Sequence, residues 1–365
     1  MTQLQAERAP GPDETGLAEP TRSVVGRSPG ELFWMRFRSD RVALAGLAFI
    51  VGLVLVALTA PLISRYIAGH GPNELFNQEP TNMLNEFGLP KGPNSEFWFG
   101  ADRAGRDLFV RVVYGARTSL VIAVAATLIA VSIGVVLGMI AGFFRGWADT
   151  AISRSVDVML SMPLLLFAIG IVSTCSRARE GCLWGTVKPG VPVVVFVIAL
   201  FSWPNIARLV RGQTLSIRER DFIEASRVLG AGNASIMFRE VLPNLVAPII
   251  VYSTLIIPTN IIFAASLSFL GLGVSDQQPD WGRLLAQAAP IFDIAWWTMF
   301  FPGLFLFLTT LAFNLVGDGL RDALDPRGST KVRELKADVS EPVTPGEEGG
   351  DERTPTTTPD RGDHG

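Results

Sequence analysis

Six stretches of this chain contain no charged residue: 42–64, 118–144, 158–176, 189–207, 241–275 and 294–317. Such runs leave few folds open. A helix needs about 20 apolar residues to cross the hydrocarbon core of a bilayer, and each run is near that length or longer. In lipid only helices and closed barrels satisfy their own backbone groups, and barrel strands would alternate polar with apolar residues. These runs do not alternate. They also lack the polar face that a helix of a soluble core presents to water. The chain is 48% hydrophobic and only 18% charged, against about 25% charged in a soluble domain. The fold class expected is an all-α integral membrane protein with six transmembrane helices.

Basic residues set the orientation. Within about 20 residues of the spans, 18 lie on the side that holds both termini and 10 on the other. Both termini are therefore expected in the cytoplasm. The minority side owes much of its count to Arg103, Arg106, Arg111 and Arg117. With Leu108, Phe109, Val112 and Val113 they predict an amphipathic helix over 100–117, lying on the outer membrane surface. Its arginines would sit at lipid headgroups or pair locally. The first 41 residues lack the apolar core of a signal peptide. Residues 1–30, rich in Pro, Gly, Glu and Thr, and the acidic tail after Arg327 read as disordered.

Several chemistries are disfavoured. None of the four lysines, Lys91, Lys188, Lys331 and Lys336, stands in a G-x-x-x-x-G-K-[ST] loop, so the chain is no P-loop ATPase. The spans hold no carboxylate of the kind that ion-driven carriers bury, and their strongest polar groups are Asn260 and Asn314. With two cysteines and two histidines no Cys/His metal site is expected. Cys175 and Cys182 fall at the outer end of the third span. A disulfide there is chemically permitted, and two free thiols fit equally well. Membrane lipid is the expected surroundings, and no nucleic acid is expected as a partner. Uphill transport would need free energy from another subunit.

The longest cytoplasmic connection, 208–240, reads as a short helix over 216–229 with Arg220 and Glu224 at i, i+4 spacing. Gly230 and Gly232 break it, a second short helix follows over 234–241, and Pro243 marks the start of the fifth span. Two short helices on a glycine corner make a protrusion able to pass force from a partner to the spans. Glu224-Ala225-Ser226, then Gly230, then Leu242-Pro243 resembles the E-A-A-x-x-x-G signature of permease subunits of bacterial ABC importers, with Ser226 for the usual second alanine.

Three further stretches resemble the dipeptide/oligopeptide/nickel branch of that family, specifically its second, C-type permease chain. Phe99-Gly100-Ala101-Asp102-Arg103-Ala104-Gly105-Arg106-Asp107 is similar to its G-T-D-x-x-G-R-D element, with Ala101 in place of Thr. Leu267 to Gly273, followed by Pro279, Trp281 and Gly282, is similar to L-S-F-L-G-L-G…P-x-W-G. Asn314, Gly317-Asp318, Leu320-Arg321-Asp322 and Leu324-Asp325-Pro326-Arg327 match its closing element.

The resemblance implies a type I importer core, with the 208–244 loop docking on an ATPase subunit. It implies as partners a homologous second permease, two P-loop ATPase subunits that bind ATP and Mg, and an extracytoplasmic solute-binding protein. The chain itself would be no enzyme and hold no cofactor. The solutes implied are di- and oligopeptides, or alternatively nickel chelates or another small solute, crossing a bacterial plasma membrane. The domain plan is a disordered extension (1–35), a first span (36–64), an extracytoplasmic loop (65–117), the permease core (118–317) and a cytoplasmic helix with an acidic tail (318–365). Expected coupling residues are Glu224, Ala225, Ser226, Gly230, Leu242 and Pro243. Candidate pathway residues are Ser161, Met162, Pro163, Pro258 and Asn260.

Overall fold

A computed structural model describes residues 29–177, 182 and 185–324. The expected disordered tails lie almost wholly outside that range. Among the described residues the structure is helical, with isolated β-bridges only. A short helix α1 (Pro29–Ser39) leads to α2 (Arg41–Leu62), which ends in a π-helical turn, Ile63–Ala68. After a long irregular segment come α3 (Leu108–Phe144), α4 (Gly146–Ser161), α5 (Leu164–Arg177) and α6 (Val191–Arg218). The remainder is α7 (Asp221–Val228), α8 (Asn233–Ile236), α9 (Leu242–Phe269), α10 (Trp281–Ala288) and α11 (Trp297–Leu324).

Five helical segments are long and apolar enough to cross a bilayer, and six if a bent pair is taken as one. That pair, α4 and α5, replaces the straight third span expected over 158–176. The two helices meet at 88°. Pro163 is the cause: it disfavours helical backbone at the preceding residue, and Met162 is extended, with ψ 137°.

The centre of the bundle is the pairing of α3 with the deeply buried α6. A glycine stripe sets their spacing. A Cβ on Gly134 would stand 2.7 Å from Ile206 Cβ, one on Gly138 2.6 Å from the Ala207 carbonyl oxygen, and one on Gly142 2.7 Å from Thr214 Cβ. Glycine every fourth residue presents one bare face, and in lipid such faces let backbones approach closely. At one end of this pair α4 is tied to α6 by ions. Arg211 Nε and Nη2 donate to Asp149 at 2.5 and 2.8 Å, and Arg208 Nη2 donates to Asp157 at 2.9 Å.

The 100–117 stretch differs from the expected surface helix. Residues 100–107 form turns, and helix begins only at Leu108, where Asp107 caps it by accepting from the Phe109 and Val110 amides. From there α3 runs unbroken for 37 residues, about 55 Å at 1.5 Å per residue. Of the two expected placements for the arginines, local pairing holds for Arg106 and Arg111, which are buried against Asp102, while Arg103 and Arg117 are exposed. Gly100 and Gly105 have φ of +75° and +81°, conformations that carry no penalty for glycine.

Candidate functional site

The coupling protrusion begins where α6 stops, at Arg218, so the single helix expected over 216–229 is two helices broken at Glu219–Arg220. Arg220 is the N-cap residue of α7 and does not pair with Glu224; the ion pair formed nearby is Arg145 with Glu219. On α7 Glu224 and Ala225 are exposed, and Ser226 is half-buried, its hydroxyl donating to the Phe222 carbonyl at 3.0 Å. The helix ends in a double bond pattern: Gly230 N–H to the Arg227 carbonyl at 2.9 Å and Ala231 N–H to the Ser226 carbonyl at 3.0 Å. That is a Schellman cap, which needs a left-handed residue at its corner, and Gly230 has φ +84°. The second helix does not stop before the fifth span. α8 passes through a π-helical stretch, Met237–Val241, directly into α9, and Leu242 and Pro243 occupy its first turn.

Ile223 is the anchor of the protrusion. It is fully buried, in one cluster with Met139 and Phe143 of α3, Val156 of α4 and Ile217 of α6. Two cations clamp the same ring, with the Arg218 and Arg227 guanidinium carbons 5.9 and 5.7 Å from the Phe143 centroid. The tip is the opposite: Val228 and Leu229 are 84% and 87% exposed, and Phe238 60%. A buried anchor beneath an exposed apolar tip suits a docking element.

The candidate pathway residues separate. Asn260 borders a cavity of about 210 Å³ between α6 and α9, along with Ser202, Asn205, Tyr252 and Thr259. Its amide is committed, its carbonyl accepting from Ser202 Oγ at 2.9 Å and its NH₂ donating to Thr127 Oγ1 at 2.8 Å. Asn260 thus knots α3, α6 and α9 together. Pro258 is buried within α9 and does not border that cavity. Met162 borders a different hollow of about 570 Å³ inside the α4–α5 elbow, and Ser161 and Pro163 are exposed at the elbow itself. Asn314 is exposed on α11.

At the opposite end of α3 a polar cluster closes the bundle. Arg106 Nε donates to Asp102 at 2.8 Å and its Nη1 to Asp276 at 2.9 Å. Arg111 lies 3.2 Å from Asp102 and 3.7 Å from Asp276. Burial opposes the charge on Arg106, but the flanking Asp102 and Asp276 outweigh it and raise its pKa. Burial works to raise Asp276 as well, yet its bonds to Arg106 and the nearby Arg111 hold it below the usual carboxylate range. Burial pushes Asp107 up, against the pull of His70, whose Nδ1 lies 2.9 Å away. Asp280, the N-cap of α10, is driven by burial to about 6. Beside it Trp281 is completely buried, its Nε1 donating to the Val112 carbonyl at 3.1 Å, and Gly115 leaves room for its ring. Cys175 and Cys182 are joined by a disulfide.

Comparison with known proteins gives the same assignment along most of the chain. The family described as "Binding-protein-dependent transport system inner membrane component" matches residues 134–329. A second, "N-terminal TM domain of oligopeptide transport permease C", matches 28–83. The dipeptide transport system permease protein DppC of Alkalihalophilus pseudofirmus is 39% identical over 314 residues, 86% of this chain and 95% of that one. The chain is an ABC importer permease of the binding-protein-dependent family. Glutathione transport system permease proteins GsiD are also similar. That of Pectobacterium atrosepticum is 40% identical and that of Escherichia coli 42%, each over 301 residues and 82% of this permease, and 92% and 91% of their own lengths. Two solved inward-facing structures of the methionine ABC transporter MetNI align over 60% of this permease and 96% and 98% of their own chains, each at 20% identity and a TM-score of 0.49.

The family elements of this permease now have physical roles. In the Leu267–Gly273 element, Gly271 N–H bonds the Ser268 carbonyl and Leu272 N–H the Leu267 carbonyl, each at 3.0 Å, with φ +79° at Gly271. It is a second Schellman cap, ending α9. At the close of α11, Asp318, Arg321 and Asp322 are exposed and pair with no other described residue. Sequence reading missed two features of this permease: the glycine stripe of α3 and the commitment of Asn260. The first was visible as Gly134-x-x-x-Gly138-x-x-x-Gly142. The second had no local signal, because Thr127 and Ser202 are distant in the chain.

Proposed function

We propose that this permease forms half of the translocation pathway of an ATP-driven importer of di- and oligopeptides, worked through the 216–232 protrusion. The observation that carries it is the seating of α7, with Ile223 buried in the core that α3, α4, α6 and the α8–α9 run share, beneath an exposed apolar tip. A partner that moves the tip pulls on the core that these helices share. The glycine seam makes α3 and α6 shift as one body, and the Thr127–Asn260–Ser202 knot carries that shift to the cavity wall. Thr127 is 16 residues from Phe143 along α3, about 24 Å. Such a lever favours alternating access: closure of two P-loop ATPase subunits, holding ATP and Mg, would open the wall outward, and hydrolysis would reset it. A homologous second permease completes the pathway, and an extracytoplasmic binding protein delivers the solute. The chain has no ATPase function of its own in this scheme, and both termini lie in the cytoplasm. The peptide and glutathione permeases among its relatives support the solute class.

The test is purification with natural partners and reconstitution in liposomes. ATP-driven uptake of di- and tripeptides, stimulated by the loaded binding protein, is the expected result. Uphill uptake by this chain alone would overturn the assignment. Uptake of nickel complexes but no peptide would retain the machinery and correct the solute.

A further inference from the structure

On the side of the bundle that holds the 65–107 segment, a hollow of about 430 Å³ opens beside the first turns of α3. Tyr114, Arg117 and Thr118 wall it from α3, Gln277 and Gln278 from the loop before α10, and Val191 from the start of α6. Among the described residues no carboxylate borders it. The arginines nearby are spoken for: Arg106, Arg111 and Arg283 gather on Asp276, and the first two also on Asp102. Arg117 is different. It is exposed and pairs with no other described residue. With Asp280 also close to Arg111 and Arg283, those three guanidiniums are matched by three carboxylates, whereas Arg117 stands at the rim of a hollow whose other described polar groups are neutral.

We propose that Arg117 is an anchor for a carboxylate of the incoming solute, at the outer mouth of this half-pathway. The proposal rests on the peptide reading above. Every linear peptide ends in one carboxylate whatever its side chains, so a guanidinium at the mouth can hold the shared group without selecting a sequence. Guanidinium is suited to this, because its fork of donors matches the two carboxylate oxygens. Tyr114 and the amides of Gln277 and Gln278 offer further neutral donors from the same walls. Among its described lining residues the Asn205–Tyr252–Thr259 cavity carries no charge, so Arg117 is the charged group of the two hollows.

The experiment uses the complete reconstituted importer and two probes, trialanine and trialanine amide, each preloaded on the binding protein. With Arg117→Gln, uptake of trialanine should fall about tenfold or more, the effect of losing one charged hydrogen bond. Uptake of the amide should be unchanged. Arg117→Lys should recover part of the loss. The concentration of binding protein that half-maximally stimulates ATP hydrolysis should be the same in all variants. Equal losses for both probes, no loss for either, or a shift in that concentration would overturn the anchor; the last would make Arg117 a protein-docking contact instead. A wild-type complex that imports neither probe would sink the peptide reading itself, and the anchor with it.

Discussion

Asp280 is a carboxyl placed where charge is costly. Its folded pKa, about 6, stands above the ordinary value of 3.8, so the folded chain holds a proton that the unfolded chain releases. Stability should therefore fall as pH rises from about 4 through 6, and the cost is complete above that window. A shift of that size corresponds to about 3 kcal/mol at most. Asp280→Asn keeps an acceptor for the Arg283 amide and removes the charge. Thermal unfolding of the purified complex between pH 5 and 8 should show the wild type losing stability with rising pH and Asp280→Asn losing less, the remainder including the raised Asp107. Equal slopes would mean that Asp280 stays ionised throughout. Residues such as this were the least legible in the sequence. Asp280 sits in a recognised P-x-W-G element, but its burial depends on α9 and α10 closing over it. Arg106 and Arg111 pair locally with Asp102, as the sequence allowed, but their burial was hidden because their other partner, Asp276, is more than 160 positions away.

Elements were read more faithfully where one local force dominates. Long apolar runs became helices, and Gly230 ended α7 as a left-handed corner. Gly230→Pro would remove the donor to Arg227 and force φ from +84° toward −65°. Membrane insertion should be intact and ATP-driven uptake should drop at least about tenfold; normal uptake would refute a mechanical role for the corner. The α3–α6 seam calls for a different outcome. Gly138→Leu places a side chain where even a Cβ lies 2.6 Å from the Ala207 carbonyl oxygen. Overpacking of this kind costs about 1–3 kcal/mol or more. The variant should lose assembled complex on size-exclusion chromatography, while Gly170→Leu, at a site with nothing within 4 Å, should assemble normally. The misreadings at this scale have two causes. The α4–α5 elbow turns on Pro163, whereas the break at Glu219–Arg220 and the uninterrupted α8–α9 run carry no comparable local signal. Composition alone does not distinguish a straight span from a bent one.

For the whole molecule the orientation is the outstanding proposal. Single cysteines at Leu229 and at Phe87, in a Cys175→Ser/Cys182→Ser background, should label from opposite sides of an intact cell. Both sites are highly exposed, 87% and 85%. Leu229 should react with a membrane-impermeant maleimide only after permeabilisation, and Phe87 before it. The reverse pattern would invert the topology and place the protrusion out of reach of any nucleotide-driven partner.

By itself the sequence determined the membrane class, the approximate spans, the family and the glycine corner of the coupling element. Each is written in a contiguous stretch, and hydrophobic transfer and backbone conformation act locally. The tertiary structure alone decided which polar groups remain available. Asn260 is committed to Thr127 and Ser202, Arg111 is enclosed with Asp102 and Asp276, and Arg117 is left at the rim of a hollow. Whether a polar side chain is a structural tie or a ligand contact depends on the partners that other helices bring to it. In a bundle whose interior is nearly all hydrocarbon, those partners come from distant parts of the chain.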